Sequence, residues 1–176
     1  MSPRVVLVGP PGAGKSTIGR RLAHALNTTL VDSDHLIEEA TGRPCGEVYA
    51  DLGEEGFREL EAGKVAEALG TSGVVSLGGG AVVTEANRDL LAEHCVVWVD
   101  VSAEEGVRRT SADDSRPVLA AADPEQRYRQ LLQERTPLYR EVAGYRARTD
   151  GRTPRQVVTD VLNYLETHMD TPGKDT

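Results

Sequence analysis

The sequence predicts a three-layer α/β/α fold built on a parallel sheet. Three observations lead there. Short, continuous apolar runs recur along the 176 residues, amphipathic stretches separate them, and glycines or acids follow the first three runs directly. Strands buried on both faces read as unbroken apolar runs, and their alternation with helices implies a parallel sheet covered on both sides. Such sheets bind ligands beyond the carboxyl ends of their strands.

The elements follow in order. "RVVLVG" (4–9) reads as a buried strand. "KSTIGRRLAHAL" (15–26) carries Ile18, Leu22 and Leu26 on one helical face. "TLVDSD" (29–34) is a second strand ending in acids, followed by two short helices broken at Gly42 and Pro44. A longer helix spans 54–69, with Phe57, Leu60, Val65, Ala68 and Leu69 inward. "GVVSLGGG" (73–80) is a strand running into glycines, and 84–94 is a helix with Thr84 as its expected cap. "CVVWVDV" (95–101) is the next strand, and Cys95 is expected to be a small buried residue. Ser102 and Glu105 form a capping-box pattern for the helix after it. Residues 111–123 lack a period and read as an exposed loop. A helix starts at Pro124 and is expected to kink or end at Pro137. "YRART" (145–149) is a weaker strand, and Thr153-Pro154 starts a last helix with Val158, Val161, Leu162 and Leu165 on one face. The tail 171–176 is polar and expected to be disordered.

The chain length suits one domain, taken as residues 1–170. No apolar run approaches the ~20 residues needed to span a bilayer. The two cysteines, Cys45 and Cys95, have no metal-ligand spacing and suggest no disulfide framework. The expectation is a cytoplasmic protein. A net charge of −8 argues against a nucleic-acid partner. The positive charge is mostly arginine, 17 Arg against 3 Lys, and one of those lysines lies inside a glycine-rich turn.

That turn, Gly9-Pro10-Pro11-Gly12-Ala13-Gly14-Lys15-Ser16, fits Gly-x-x-x-x-Gly-Lys-[Ser/Thr] between an apolar strand and an amphipathic helix. Successive backbone N–H groups in such a loop converge on an anion-binding hollow, and the following helix adds its positive end. Lys15 reaches the β- and γ-phosphates and the Ser16 hydroxyl ligates Mg²⁺. The loop therefore binds a nucleoside triphosphate. A GTPase is disfavoured, because Asn27, Asn87 and Asn163 are followed by Thr, Arg and Tyr, leaving no Asn-Lys-x-Asp reader. A small chain with this loop suggests a small-metabolite kinase.

Taken alone, Arg58 reads as a solvated helix arginine with Glu61 as its i+3 partner, and either Asp32 or Asp34 as a helix cap. Combined, "GPPGAGKSTIGRRLA", "VDSDHLIEEATG", "GEEGFRELE", "SLGGGAV", "SRPVL" and "ERTPLYRE" resemble the shikimate kinase family over about residues 4–165. The resemblance implies a nucleoside-monophosphate-kinase-like fold and transfer of the ATP γ-phosphoryl to the 3-hydroxyl of shikimate, in chorismate and aromatic amino acid biosynthesis. It implies Gly12, Ala13, Gly14, Lys15, Ser16 and Thr17 around the phosphates, with Arg109, Arg152 and Pro154 at the adenine. Asp34 would meet the substrate hydroxyls and accept the proton, and Asp32 would join Ser16 in the Mg²⁺ site. Arg58 and Arg135 would grip the substrate carboxylate, with Gly78, Gly79 and Gly80 against its ring. Ser76 would stand partly where other P-loop enzymes place an acid. Asp100 competes for that place and is discounted in favour of Asp32. Residues 33–61 would be a substrate-binding insertion and 111–123 a lid carrying Arg116. ATP and shikimate are the expected partners, with a membrane excluded and a monomer expected. Two alternatives stay open: another small-metabolite kinase such as gluconate kinase, or a nucleotide-binding regulatory protein without transferase activity.

Overall fold

The structure is a computed structural model that describes residues 1–111 and 123–169. The loop expectation for 111–123, all but its two ends, Arg116 and the tail lie outside these residues. The strands are β1 (Val5–Val8), β2 (Leu30–Asp32), β3 (Val74–Ser76), β4 (Val96–Asp100) and β5 (Tyr145–Arg148). They form one sheet in the order β2-β3-β1-β4-β5, with every pairing parallel. The helices are α1 (Lys15–Ala25), α2 (Ser33–Thr41), α3 (Cys45–Leu69), α4 (Glu85–Leu91), α5 (Ala103–Thr110), α6 (Pro124–Val142) and α7 (Pro154–Met169).

Successive residues of β1 show why the run is apolar throughout. Val5 and Leu7 enter one core with Ile18 and Leu22 of α1 and Val157, Val161 and Leu165 of α7. Val6 and Val8 enter the opposite core with Val65, Ala68 and Leu69 of α3 and Leu91 of α4. Side chains alternate faces along a strand, so both faces must be apolar where both are covered. Helix α6 serves both layers: Tyr128 packs in the first core and Tyr139 in the second. A third, small core of Ile37, Val48 and Phe57 ties α2 to α3.

Local sequence rules explain most boundaries, and several expectations change. The second strand stops at Asp32, because its side chain accepts from Asp34 N–H at 2.9 Å and starts α2 at Ser33. Helix α6 does not end at Pro137 but runs through it to Val142. The missing N–H would have met the Gln133 carbonyl; both residues lie on the exposed side, where water can serve that oxygen. Thr84 precedes α4 without a side-chain cap; its carbonyl accepts from Asn87 and Arg88 instead. The capping box at Ser102 forms by half. Ser102 Oγ accepts from Glu105 N–H, but the Glu105 carboxylate turns to Arg108 and Arg109, and the Ser102 N–H donates to Asp150. A complete reciprocal box forms where none was expected, between Thr153 and Gln156 at the start of α7. Cys95 is only half-buried, a free thiol like Cys45.

Candidate active site

The parallel order sends the first three strands toward one edge, and the residues that follow them meet there. A cleft of about 240 Å³ is lined by Gly12 and Gly14–Thr17 after β1, Asp32 and Asp34 at and just past the end of β2, and Ser76–Gly79 at and just past the end of β3. Asp32 and Ser76 are register partners, which sets them side by side at the strand ends.

The phosphate loop is built by its backbone. Gly14 caps α1 in the left-handed region (φ 93°), a conformation that strains any residue with a Cβ. No side chain among the described residues caps this helix end, so its first N–H groups face the cleft, the arrangement that binds phosphate. Lys15 Nζ folds back to donate to the Gly9 and Pro10 carbonyls at 2.6 and 3.0 Å, which holds the ammonium over the loop. A second hollow of about 540 Å³ adjoins Gly14 and Thr17 and brings Arg109, Arg152 and Pro154 together. Arg109 is fixed there by Glu105, the Gly12 carbonyl and Thr149 Oγ1, each within 3.1 Å. Arg152 is paired with Asp160. Of the expected phosphate residues, Ala13 is turned from the main cleft into the core beneath this second hollow.

The glycine triplet is a point of close approach, and each glycine faces a different neighbour. A Cβ at Gly78 would lie 2.4 Å from Asp34 Oδ1; one at Gly79 would lie 3.0 Å from Pro11 Cδ; one at Gly80 would lie 2.5 Å from an Arg58 guanidinium nitrogen. A side chain here would press on Asp34, which lines the cleft, or on Pro11 or Arg58 beside it. Gly78 N–H also donates to the buried Ser33 Oγ at 2.9 Å, tying the triplet to the start of α2.

Beside Gly80 lies a charged cluster. Arg58 Nη1 donates to Glu61 Oε1 at 2.9 Å, and Glu61 is 1% exposed. Burial pushes the Glu61 carboxyl above the usual range, and Asp34 adds to this, while Arg58 and Arg135 oppose it. Arg135 and Arg58 both act on the Tyr139 hydroxyl as well. The two arginines, far apart in sequence, therefore converge on the same buried groups, and Arg58 Nε is buried without a hydrogen-bond partner among the described residues.

Asp100 is not available to a metal, since it pairs with Arg146 at 2.7 Å across β4 and β5. Among the described residues no cluster of three or more His, Cys, Asp or Glu side chains could cage an ion. Ser16 and Asp32 supply one hydroxyl and one carboxylate at the phosphate loop. That hard, sparse oxygen set fits Mg²⁺, which is commonly held by one or two side chains with phosphates and water completing its shell.

Sequence reasoning missed three contributors. Tyr128 OH donates to the Pro11 carbonyl and Tyr139 OH to the Gly79 carbonyl, each at 2.6 Å. Their signal was present: Tyr128, Leu131, Arg135 and Tyr139 fall at i, i+3, i+7 and i+11, one face of a helix. Cys45 Sγ donates to the Asp34 carbonyl at 3.4 Å, and burial, helped by Asp34, pushes its thiol up to about 12. Nothing in the spacing announced that contact.

Comparison with known proteins agrees with this geometry. The family model described as shikimate kinase matches residues 11–166. The shikimate kinase of Corynebacterium glutamicum is 67% identical over 93% of this chain and 97% of its own, and that of Corynebacterium efficiens is 66% identical over the same shares. The structure of shikimate kinase from Acinetobacter baumannii in complex with shikimate superposes with a TM-score of 0.91 at 37% identity, covering 97% of this chain and 96% of that one. A gluconokinase from Sinorhizobium meliloti, 16% identical with a TM-score of 0.59, shares the fold alone. With a phosphate loop, an acid pair and a two-arginine cluster meeting at one glycine triplet, and with this likeness along nearly its whole length, the chain belongs to the shikimate kinase family.

Proposed function

We propose that this protein transfers the γ-phosphoryl group of ATP to the 3-hydroxyl of shikimate, giving shikimate 3-phosphate and ADP, within chorismate and aromatic amino acid biosynthesis. The observation that carries the reading is the glycine triplet. It abuts the phosphate loop at Gly79, the acid Asp34 at Gly78 and the arginine cluster at Gly80, so donor and acceptor sites share one wall.

The phosphate-loop N–H groups and Lys15 hold the triphosphate, and Arg109, Arg152 and Pro154 line the hollow for the adenine. Ser16 and Asp32 would hold Mg²⁺, which when bound offsets charge on the phosphates. Arg58 and Arg135 pair with the acceptor carboxylate; a planar fork suits a planar anion and fixes the ring. Asp34 lies beside Gly78, between that cluster and the phosphate loop, where it accepts the proton of the attacking hydroxyl as the oxygen bonds to phosphorus and the β-phosphate oxygen departs. Phosphoryl transfer asks for positioning and charge stabilisation more than covalent chemistry, and these residues supply both.

The insertion 33–61, with its own core of Ile37, Val48 and Phe57, is the acceptor-binding unit. ATP as co-substrate and two cysteines left as thiols suit the cytoplasm. The test is ADP release measured in parallel with shikimate, gluconate and nucleoside monophosphates. Shikimate alone should support turnover; turnover with gluconate and none with shikimate would overturn the reading.

A further inference from the structure

We infer that Tyr128 and Tyr139 are positioning residues: through their hydroxyls, helix α6 holds the phosphate loop and the glycine triplet at the separation that phosphoryl transfer needs. The inference rests on the reading above and extends it to groups that touch neither substrate.

Both side chains are fully buried, at 0% exposure, and phenylalanine would fill the same apolar volume. What tyrosine adds is a donor, and each donor meets a carbonyl of a loop lining the cleft: Pro11 for Tyr128, Gly79 for Tyr139, both at 2.6 Å. A buried hydroxyl without a partner is costly, so these bonds lock the loops as well as satisfy the phenols. The rings themselves have little freedom. Tyr128 lies against Gly106, where a Cβ would come within 2.4 Å of its hydroxyl, and Tyr139 stacks on Trp98 at 5.9 Å between centroids. Burial pushes the Tyr139 phenol up to about 12, which keeps its donor proton in place.

The two anchored carbonyls belong to neighbours. A Cβ at Gly79 would lie 3.0 Å from Pro11 Cδ and 3.3 Å from the Gly9 carbonyl, so the donor and acceptor loops touch there. The anchors sit about three turns apart on one face of a single rigid helix, one in each core layer. Arg135 lies one turn before Tyr139 on that face. Displacing Gly79 would carry Gly78 and Gly80 with it, and hence the walls against Asp34 and Arg58. Displacing Pro11 would disturb the phosphate loop.

Tyr128→Phe and Tyr139→Phe test this in the full-length protein, with melting curves to establish that each variant is folded. Each change takes the hydroxyl donor from a part-buried carbonyl, enough for about a tenfold effect on the site it lines. Tyr139→Phe should raise the KM for shikimate about tenfold and leave that for ATP within about twofold. Tyr128→Phe should do the reverse. General loosening of the core would move both constants together in both variants, and that result overturns the inference. So do constants within twofold of wild type. A wild-type protein that releases no ADP with shikimate defeats the functional reading instead. In that event calorimetry with ADP decides the anchors: Tyr128→Phe should weaken ADP binding about tenfold and Tyr139→Phe should not. Equal ADP affinity in both variants refutes the assignment.

Discussion

Removing Arg58 should produce two effects that can be pulled apart. The first is on stability. Glu61 is almost wholly buried and its carboxylate accepts from Arg58 at 2.9 Å. Arg58→Ala leaves that carboxylate buried without the cation it pairs with, a change that costs about 3–5 kcal/mol when one partner of a buried pair is lost. Arg58 keeps some exposure, 16% of its side chain, and Arg135 still acts on Glu61, so the lower end, about 3 kcal/mol, is the better expectation. For a chain of this length that corresponds to a fall in melting temperature of about 6–12 °C. The second effect is on acceptor affinity, through loss of one half of the carboxylate clamp, at about 2–5 kcal/mol. Replacing Glu61 by Gln in the Arg58→Ala background removes the stranded charge. The double variant should regain most of the lost melting temperature and none of the lost shikimate affinity, measured by thermal denaturation and calorimetry. If the double variant melts no higher than the single one, the buried pair is not the cause of the instability. If Arg58→Ala binds shikimate as tightly as wild type, the clamp is wrong, and a neutral polyol becomes the better acceptor.

Three further outcomes are expected. Lys15→Met should fold normally and lower turnover about a thousandfold, because its ammonium serves the cleft and not a core; near-normal turnover in a steady-state assay refutes the phosphate-loop role. Asp34→Asn keeps the shape but cannot take a proton, so single-turnover rates should fall about 10²–10⁴-fold with ADP binding unchanged; an unaltered rate removes Asp34 as the base. Glu61, whose folded pKa lies above the ordinary 4.5, holds its proton more tightly folded than unfolded. Its contribution to stability is therefore complete below about 4.5 and lost as pH rises through the folded value. Melting temperatures of wild type and Glu61→Gln, compared from pH 4 to pH 8, should shift in favour of the Gln variant as pH rises, and a constant difference contradicts the raised pKa.

The amino-acid sequence by itself determined the layers and the phosphate loop, because both are written in neighbouring residues. An apolar run such as Val5–Val8 is buried on both faces whatever packs against it, and Gly12, Gly14, Lys15 and Ser16 form a phosphate hollow through their own backbone and the helix they start. Helices α2 and α3 were legible for the same reason, from Gly42, Pro44 and the 3.6-residue period of 54–69. Tertiary structure decided everything that depends on distant groups meeting. Asp100 and Asp32 are both acids at strand ends; only the pairing of β4 with β5 places Arg146 on Asp100 and withdraws it. Pro137 is a helix breaker by local rules, yet α6 continues, since its unserved carbonyl faces the solvent side and the helix is held by Tyr128, Leu131 and Tyr139 in the core. Arg58 became more than a surface charge because the fold buries Glu61 beneath it and carries Arg135 from α6 to the same place. The glycines after β3 announce no neighbour by themselves. Packed, they are the wall that Asp34, Pro11 and Arg58 approach closely, so that a Cβ there would have to move one of them, a constraint that exists only once three separate segments have been brought against one another.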